Sequence, residues 1–204
     1  MAANKSKEER QHQILEAALE VFVKKGYSET RMSDIVDKSG LSKGAIYHYY
    51  NSKRDLFLSL IDHWETHTFP DFYSKDDEKS ASEILRGFVS EIIDTFQNRK
   101  YVFLAELEFW ALSNRDEEIR SRTKQLYAKI LSLFEKVIQK GISDGEFDII
   151  DPKKSALVIM TSLQGVIWFT IFEHQDFTVE EYLNDVMDQM ILGFKQPLKK
   201  LELK

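Results

Sequence analysis

Residues 32–53 contain the side chains most able to take part in chemistry. Within this stretch, residues 43–50 (KGAIYHYY) combine a lysine, a histidine and three tyrosines. A lysine can neutralise a phosphate or reach a guanine edge, and aromatic rings can contact thymine methyl groups while their polar ends meet phosphate. This mixture is typical of a surface that contacts nucleic acid.

A break at residues 39–42 (SGLS) separates the aromatic segment from a short apolar-patterned one. Two short helices joined by a turn that contains glycine form a helix-turn-helix, in which the second helix enters the major groove. Gly40 is expected to end the first of these helices and Ser42 to cap the second. Ile46 and Tyr50 should point inward, and Gly44 should let the backbone approach DNA closely.

The composition is that of a globular protein, with 204 residues, 43% hydrophobic and 30% charged. The net charge is −6, but residues 1–55 hold 10 Lys and Arg against 8 Asp and Glu, so the segment with the turn motif is the basic one. The charged N-terminus does not resemble a signal peptide, and the uncharged run 155–172 is short and contains polar residues. We therefore expect a cytoplasmic protein with no membrane partner.

Motifs for catalysis or cofactor binding are weak. The chain has no cysteine, which excludes disulfides, thiolate metal sites and cysteine nucleophiles. We find no Ser-His-Asp order, no glycine-rich phosphate loop and no paired-carboxylate motif, so we predict neither an enzyme nor a cofactor. His63 and His67 have a spacing that can bind metal, but exposed histidines are the favoured interpretation, and His12 and His174 look isolated.

Hydrophobic periodicity of 3.6 and scarce proline predict an all-α chain of about nine helices. The predicted spans are 7–25, 32–38, 43–50, 53–67, 82–98, 101–112, 116–140, 152–174 and 179–195. Residues 70–80 form the best linker candidate. We predict a DNA-binding domain over 1–55 and a helical effector-binding and dimerisation domain over 56–204, with the fourth helix (53–68) linking them.

The region from Thr30 to Leu56 resembles the DNA-binding fingerprint of TetR-type transcriptional repressors. The matching residues are Gly26, Tyr27, Ile35, Gly40, Leu41, Ser42, Lys43, Gly44, Ile46, Tyr47, Tyr49, Tyr50, Lys53 and Leu56. Arg31 departs from the family, which usually has Thr or Ser there, and Val36 and Ser39 are smaller departures. The resemblance implies a homodimeric repressor on a palindromic operator, with base contacts from the third helix, phosphate contacts from Tyr49 and Lys53, and a small-molecule effector.

From the motif and the resemblance together, we predict one set of residues that contact double-stranded DNA. They are Arg31, Ser33, Ser42, Lys43, Gly44, Ala45, Tyr47, His48, Tyr49 and Lys53. The alternative is a helix-turn-helix that serves only packing or protein contacts.

The eighth predicted helix is apolar on nearly every side, so it should be buried on more than one side. A partner chain is one way to bury it, and burial within a single chain is the other. The predicted dimer-interface residues are Leu157, Gly165, Ile167, Phe169, Ile171, Tyr182, Val186 and Met190.

Aromatic and methionine residues in the second domain predict a lipophilic effector pocket, although such residues are often only core. The predicted lining is Trp64, Phe88, Phe103, Glu106, Phe109, Trp110, Tyr127, Met160 and Trp168. Glu106 and Glu108 cannot share one face. Either one of them is buried beside a partner or a cationic ligand, or both are solvated. A regulator without a ligand and an α-helical enzyme are the rival interpretations.

Overall fold

The computed structural model describes residues 6–67, 78–148, 151–170 and 177–195. Nine α-helices and no strand lie in these ranges, which confirms the all-α prediction. The helices are α1 (Lys7–Glu29), α2 (Met32–Ser39), α3 (Lys43–Tyr49), α4 (Lys53–His67), α5 (Ala81–Arg99), α6 (Tyr101–Ser113), α7 (Glu117–Ser143), α8 (Pro152–Thr170) and α9 (Val179–Lys195). None of the helices described is long and apolar enough to cross a membrane.

Local sequence signals set most of the helix ends. Ser52 Oγ accepts from the amide of Asp55 at 3.0 Å at the start of α4. Asp151 accepts from the amide of Lys154 at 3.1 Å and so caps α8, and Thr178 Oγ1 accepts from the Glu181 amide at 3.1 Å before α9. Each side chain satisfies an amide that has no partner within the helix, so these three residues act as N-caps.

Gly26 interrupts α1 where the sequence predicts its end. Its φ of 76° and ψ of 156° are non-helical and strain any residue with a Cβ. The Thr30 hydroxyl donates to the Gly26 carbonyl at 2.8 Å. Thr30 is therefore occupied with α1 and does not cap α2.

The chain packs as two compact units. Unit 1 comprises residues 1–68 and 98–126. Within it α1 packs against α2, α4 and α6. The Phe57 ring lies edge-on to Phe22 and to Phe109, with centroid distances of 5.2 and 5.5 Å, so aromatic rings from α1, α4 and α6 form the centre of this unit.

A polar cluster around Glu16 joins α1, α4 and the start of α6 within unit 1. The Glu16 carboxylate accepts from Arg99 Nη2 at 2.7 and 2.8 Å, from the Tyr101 hydroxyl at 3.1 Å and lies 3.0 Å from His63 Nε2. Burial alone raises the pKa of Glu16, but the His63 hydrogen bond and the Arg99 charge outweigh it and lower that pKa to about 2. The carboxylate is therefore ionised at neutral pH.

This cluster corrects two predictions about histidines. His63 is only 7% exposed, so the expectation of an exposed side chain is wrong. His12 is not isolated, because its ring centroid lies 5.0 Å from that of His63. His67 has no described side chain, and His174 lies outside the described residues.

Unit 2 comprises residues 69–97 and 127–204. In its described part, α8 packs against α9, and the Phe88 ring of α5 meets the Phe134 ring of α7 edge-on at 5.1 Å. Arg86 on α5 pairs with Asp188 on α9 at 2.9 Å. The predicted functional boundary at residue 55 stays a prediction.

Candidate nucleic-acid interface

The turn between α2 and α3 requires glycine. Gly40 has a φ of 68°, in the left-handed region, and its amide donates to the Val36 carbonyl at 3.2 Å. Ser39 is buried, and its carbonyl accepts from Gln13 on α1 at 2.9 Å. The turn is therefore bonded to α1 as well as to α2, which fixes where α3 begins.

Three buried side chains hold the motif in place, as the sequence predicts. Ile35 and Ile46 are fully buried, and Tyr50 is 4% exposed. Burial raises the pKa of Tyr50 to about 12, so its hydroxyl stays protonated at physiological pH. Ser42 caps α3 by accepting from the Ala45 amide at 3.2 Å. One side of α3 is thus committed to the interior.

The opposite side of α3 presents its polar and aromatic residues to solvent. Lys43, Gly44 and His48 are exposed, and Tyr47 is 40% exposed. The Lys43 ammonium lies 5.6 Å from the centre of the Tyr47 ring, a distance within the range of a cation–π contact. Ala45 and Tyr49 are partly buried. These residues form a continuous outward face, which we call the α3 face (Lys43, Gly44, Tyr47 and His48).

Gly44 has no role in packing the chain against itself. A Cβ built there meets no atom within 4 Å, and its backbone is helical. Glycine costs up to about 1 kcal/mol relative to alanine in a helix. A glycine that the interior does not require leaves room on the outer surface for another molecule.

Positive charge near the α3 face is partly neutralised by the protein itself. Lys25 pairs with Asp34 at 2.8 Å, and Lys38 pairs with Glu20. Among the described residues, the guanidinium of Arg31 makes no hydrogen bond or ion pair, and its side chain is exposed. Arg31 and Lys43 are therefore the cations of this motif that remain available to a phosphate.

Arg31 occupies the N-cap position of α2, where its own side chain forms no cap. Its amide instead donates to Asp34 Oδ2 at 2.8 Å. The hydrogen bond from Lys25 and the one from the Arg31 amide lower the pKa of Asp34. Asp34 was missed in the sequence, although its position three residues after the cap is the spacing of a capping box. Ser33, on the same first turn, is exposed.

Lys53 has an internal role that its sequence position does not reveal. Its ammonium donates to the carbonyls of Tyr27 at 2.6 Å and Ser28 at 3.2 Å, and it lies 4.4 Å from the centre of the Tyr27 ring. It thereby joins the start of α4 to the end of α1. An ammonium has three donors, so the predicted phosphate contact stays a prediction beside this structural one.

The residues predicted to line an effector pocket are divided between the two units. In unit 1, Trp64, Phe103 and Phe109 are at most 5% exposed, and the Trp64 indole donates to the Val102 carbonyl at 3.1 Å. Trp110 is 44% exposed, which argues against its assignment to a buried lining. The sequence of α6 is apolar on nearly every side, so it did not show which face points inward.

The two glutamates of α6 differ in environment. Glu106 is 4% exposed, so the expectation that both are solvated is wrong. Glu108 Oε2 accepts from the Tyr27 amide at 3.2 Å, next to the kink in α1. Glu108 therefore contributes to the attachment of α1 to α6.

In unit 2, the remaining predicted pocket residues have mixed environments. Phe88 is buried, whereas Tyr127, Met160 and Trp168 are partly buried. The Tyr127 hydroxyl accepts from Gln164 Nε2 at 3.4 Å. Their participation in a ligand site stays a prediction.

Most residues predicted for the dimer interface are at least partly exposed. Leu157 is 45%, Phe169 65% and Tyr182 41% exposed. Gly165, Val186 and Met190 are partly exposed, and Ile171 lies outside the described residues. Ile167 is 5% exposed within its own chain, and its place in the dimer interface stays a prediction.

Two further apolar residues of this surface were missed. Val158 and Leu192 are 49% and 59% exposed. We call this set the α8–α9 face (Leu157, Val158, Phe169, Tyr182 and Leu192).

Two protein-family models match separate segments of the chain. The one described as bacterial regulatory proteins, tetR family, matches residues 14–60. The one described as BetI-type transcriptional repressor, C-terminal, matches residues 81–191, which is more than half of the chain.

Similar proteins with known sequences or structures are also regulators by name. The uncharacterized HTH-type transcriptional regulator YfiR of Bacillus subtilis (strain 168) is 29% identical over 147 residues, 72% of each chain. The fatty acid degradation regulator FadR of Bacillus halodurans has a TM-score of 0.79 at 22% identity, covering 94% of this chain and 100% of that one. FadR of B. subtilis in complex with stearoyl-CoA has a TM-score of 0.72 at 22% identity, covering 89% and 98%. At 22% identity, the similarity to these two structures shows the fold of this chain and nothing further.

Gly44→Ala is expected to keep the fold and to weaken binding to the operator. The added methyl group meets no protein atom, so thermal unfolding should be unchanged or slightly higher. On a DNA-bound α3 the same methyl group lies between the backbone and the duplex. A fluorescence-anisotropy titration should show at least about tenfold weaker binding, which corresponds to about 1.4 kcal/mol.

Gly87→Ala is the matched control. Gly87 is exposed on α5, and a Cβ built there also meets no atom within 4 Å. This variant should bind the operator like the wild type. If both variants bind with the same affinity, Gly44 does not lie at the DNA interface.

Proposed function

Because this chain belongs to the TetR family of bacterial transcriptional regulators, we propose that it is a ligand-responsive repressor that works as a homodimer. The effector-free dimer binds a palindromic operator in the cytoplasm, and a lipophilic small molecule releases it. The observation that carries this proposal is the α3 face, which is outward, basic and aromatic, and is fixed from behind by buried Ile35 and Ile46.

Different residues of the motif have different tasks in this proposal. Lys43 and Tyr47 contact base edges in the major groove, because they extend from the first turns of α3. Arg31 and Ser42 contact phosphates at the ends of α2 and α3, since exposed cations and helix N-termini favour anions. Phosphate contacts set the register of the protein on DNA, and base contacts supply the sequence preference.

The α8–α9 face supports the homodimer. It exposes five large apolar residues on two helices that pack against each other, and exposed apolar clusters of this kind mark protein interfaces. Gly165 on α8 has no atom within 4 Å of its built Cβ, which leaves space for a second helix. A two-fold dimer places two α3 faces about one DNA turn apart.

A lipophilic effector is supported by the aromatic residues of the second domain and by similarity to FadR, whose structure holds stearoyl-CoA. A positively charged head is the alternative, because the predicted lining includes the carboxylate of Glu106. Acyl-CoA thioesters and lipophilic cations share an apolar tail and differ in the charge of the head. We therefore propose a ligand with an apolar tail, whichever charge its head group carries.

Coupling between effector and DNA is proposed to pass through α4, which links the domains 1–55 and 56–204. Leu56 and Phe57 of this helix are buried in unit 1, and Lys53 bonds it to the end of α1. A shift of α4 therefore moves the motif and changes the separation of the two α3 faces. The ligand acts only through its different affinities for the two arrangements.

Phe169→Glu is expected to weaken the dimer. The glutamate would bring a charge into an apolar interface with no partner, which is strongly unfavourable. Sedimentation velocity across a dilution series should show a dimer dissociation constant at least about tenfold higher. Leu107→Glu, at another exposed apolar position, on α6 and 39% exposed, is the control and should stay dimeric. A wild-type monomer, or an unchanged Phe169→Glu dimer, would contradict the interface.

Stearoyl-CoA or an octadecyl quaternary ammonium compound is expected to bind and to release the operator. A ligand at a hundred times its dissociation constant stabilises the native state by about 2.7 kcal/mol, so the unfolding temperature should rise. Gel shifts on the protein's own upstream DNA should show the complex dissociating at the same concentrations. Coenzyme A without the acyl chain is the control.

The outcomes of the ligand experiment separate the alternatives. Binding of anionic compounds alone removes the cationic version of the proposal. If no lipophilic compound raises the unfolding temperature while the operator is still bound, the protein is a regulator without such a ligand. Turnover of a compound would indicate an α-helical enzyme.

A further inference from the structure

Three potential metal ligands come together at the junction of α1 and α4. His12, Glu16 and His63 each offer one ligand atom, and these atoms lie within 4.8 Å of one another. His12 and Glu16 are one helical turn apart on α1, and His63 faces them from α4. The DNA-binding proposal assigns no role to this cluster.

Hydrogen bonds and ion pairs hold two of the three candidate ligands, Glu16 and His63, in place. Arg99 and Tyr101 hold the carboxylate in place, and His63 Nε2 lies 3.0 Å from Oε1. The His12 ligand atom lies within 4.8 Å of those of Glu16 and His63, and its ring centroid lies 5.0 Å from that of His63. His12 is exposed, so the cluster can be reached from solvent on that side. Two imidazoles and one carboxylate are the donor set of many transition-metal sites.

The distances are close to those that a metal ion needs. Zinc ligands lie about 2.0–2.2 Å from the ion in a tetrahedron, which puts ligand atoms about 3.4 Å apart. The His63–Glu16 separation of 3.0 Å is about 0.4 Å shorter than this value. His12 must approach by at most about 1.4 Å, since its ligand atom lies within 4.8 Å of the others, and an exposed side chain can make this movement.

Surrounding residues favour the arrival of a cation. Two surface grooves, of about 800 and 460 Å³, meet at the cluster, and both are lined by Glu8 and His12. Glu8, His12 and Glu16 are spaced by four residues, so they share one face of α1. Glu8 is exposed and lines both grooves, so it adds negative charge beside the cluster. Outer contacts such as those of Arg99 and Tyr101 orient the ligating carboxylate.

We infer that His12, Glu16 and His63 form a binding site for a divalent transition-metal ion, with Zn²⁺ the preferred probe. Imidazole nitrogens select such ions over Mg²⁺ and Ca²⁺, which take oxygen ligands. The ion replaces the proton between His63 and Glu16 and joins α1 to α4. Arg99 stays beside the carboxylate and moderates the affinity, since it is a positive charge close to the ion.

The experiment is a Zn²⁺ titration of the full-length protein, first stripped of metal with a chelator, in competition with a zinc-binding dye. One equivalent should bind to each chain, and Mg²⁺ should not compete. His12→Ala should weaken the affinity for Zn²⁺ by at least about tenfold, and thermal unfolding without metal should be unchanged because His12 is exposed. His63→Gln is the second variant, since it tests the α4 ligand.

Two histidine variants are matched controls. His48→Ala removes an exposed histidine on α3 and should bind Zn²⁺ like the wild type. His67 is the other histidine whose sequence spacing would allow it to share a metal ion with His63. His67→Ala should also bind Zn²⁺ like the wild type. Wild-type protein without stoichiometric Zn²⁺ binding, or binding that survives in His12→Ala, would overturn the site. The titration contains no DNA, so its result is independent of the proposed repressor function.

Discussion

Helix α3 has seven residues, too few to form a stable helix in water by itself, where about 12–15 residues are needed even in favourable sequences. Its existence and its direction therefore depend on the burial of Ile46 behind it. Full burial of an isoleucine side chain contributes roughly 1.5–3 kcal/mol, and the Ser42 cap adds about 1 kcal/mol. Because Ile46 and the Ser42 cap stabilise α3, its outward residues are not required for stability and can serve a function instead.

The same constraint explains the layout of the neighbouring helices. Ile35 on α2 and Ile46 on α3 are both fully buried, α2 packs against α3, and α2 also packs against α1. Gly40 sets the angle between α2 and α3, and Lys53 bonds α4 to the end of α1. In the proposed mechanism, a displacement of α4 reaches α3 through α1 and α2, and this is the route by which an effector would change DNA binding.

Local signals in the sequence were sufficient to predict the helices and the side of α3 that points inward. Caps, glycines and periodicity act over three to seven residues, so Ser42, Gly40 and Ile46 could be assigned from the sequence. Contacts between residues far apart in the sequence could not be predicted in this way. Glu16 meets His63 and Arg99 across 47 and 83 positions, and no pattern in either segment points to the other. The same holds for Lys53 and the carbonyl of Tyr27.

Helices that are apolar on nearly every side were the second feature whose environment could not be predicted from the sequence. Without a polar side, the sequences of α6 and α8 did not show that Trp110 is 44% exposed or that Ile167 is 5% exposed. The exposure of Leu157 and Phe169 on α8 is equally invisible to a periodicity that is apolar on nearly every side. Burial depends on the neighbours of a helix, which periodicity does not describe.

The central claim is that the outward side of α3 reads DNA sequence. The most direct measurement compares wild type with Lys43→Ala and Tyr47→Ala on the operator and on an unrelated duplex of equal length, at one salt concentration. Each variant should lose about 1–3 kcal/mol on the operator and much less on the unrelated duplex. If Tyr47→Ala binds the operator like the wild type, or loses affinity equally for both duplexes, Tyr47 does not read bases and the claim is contradicted.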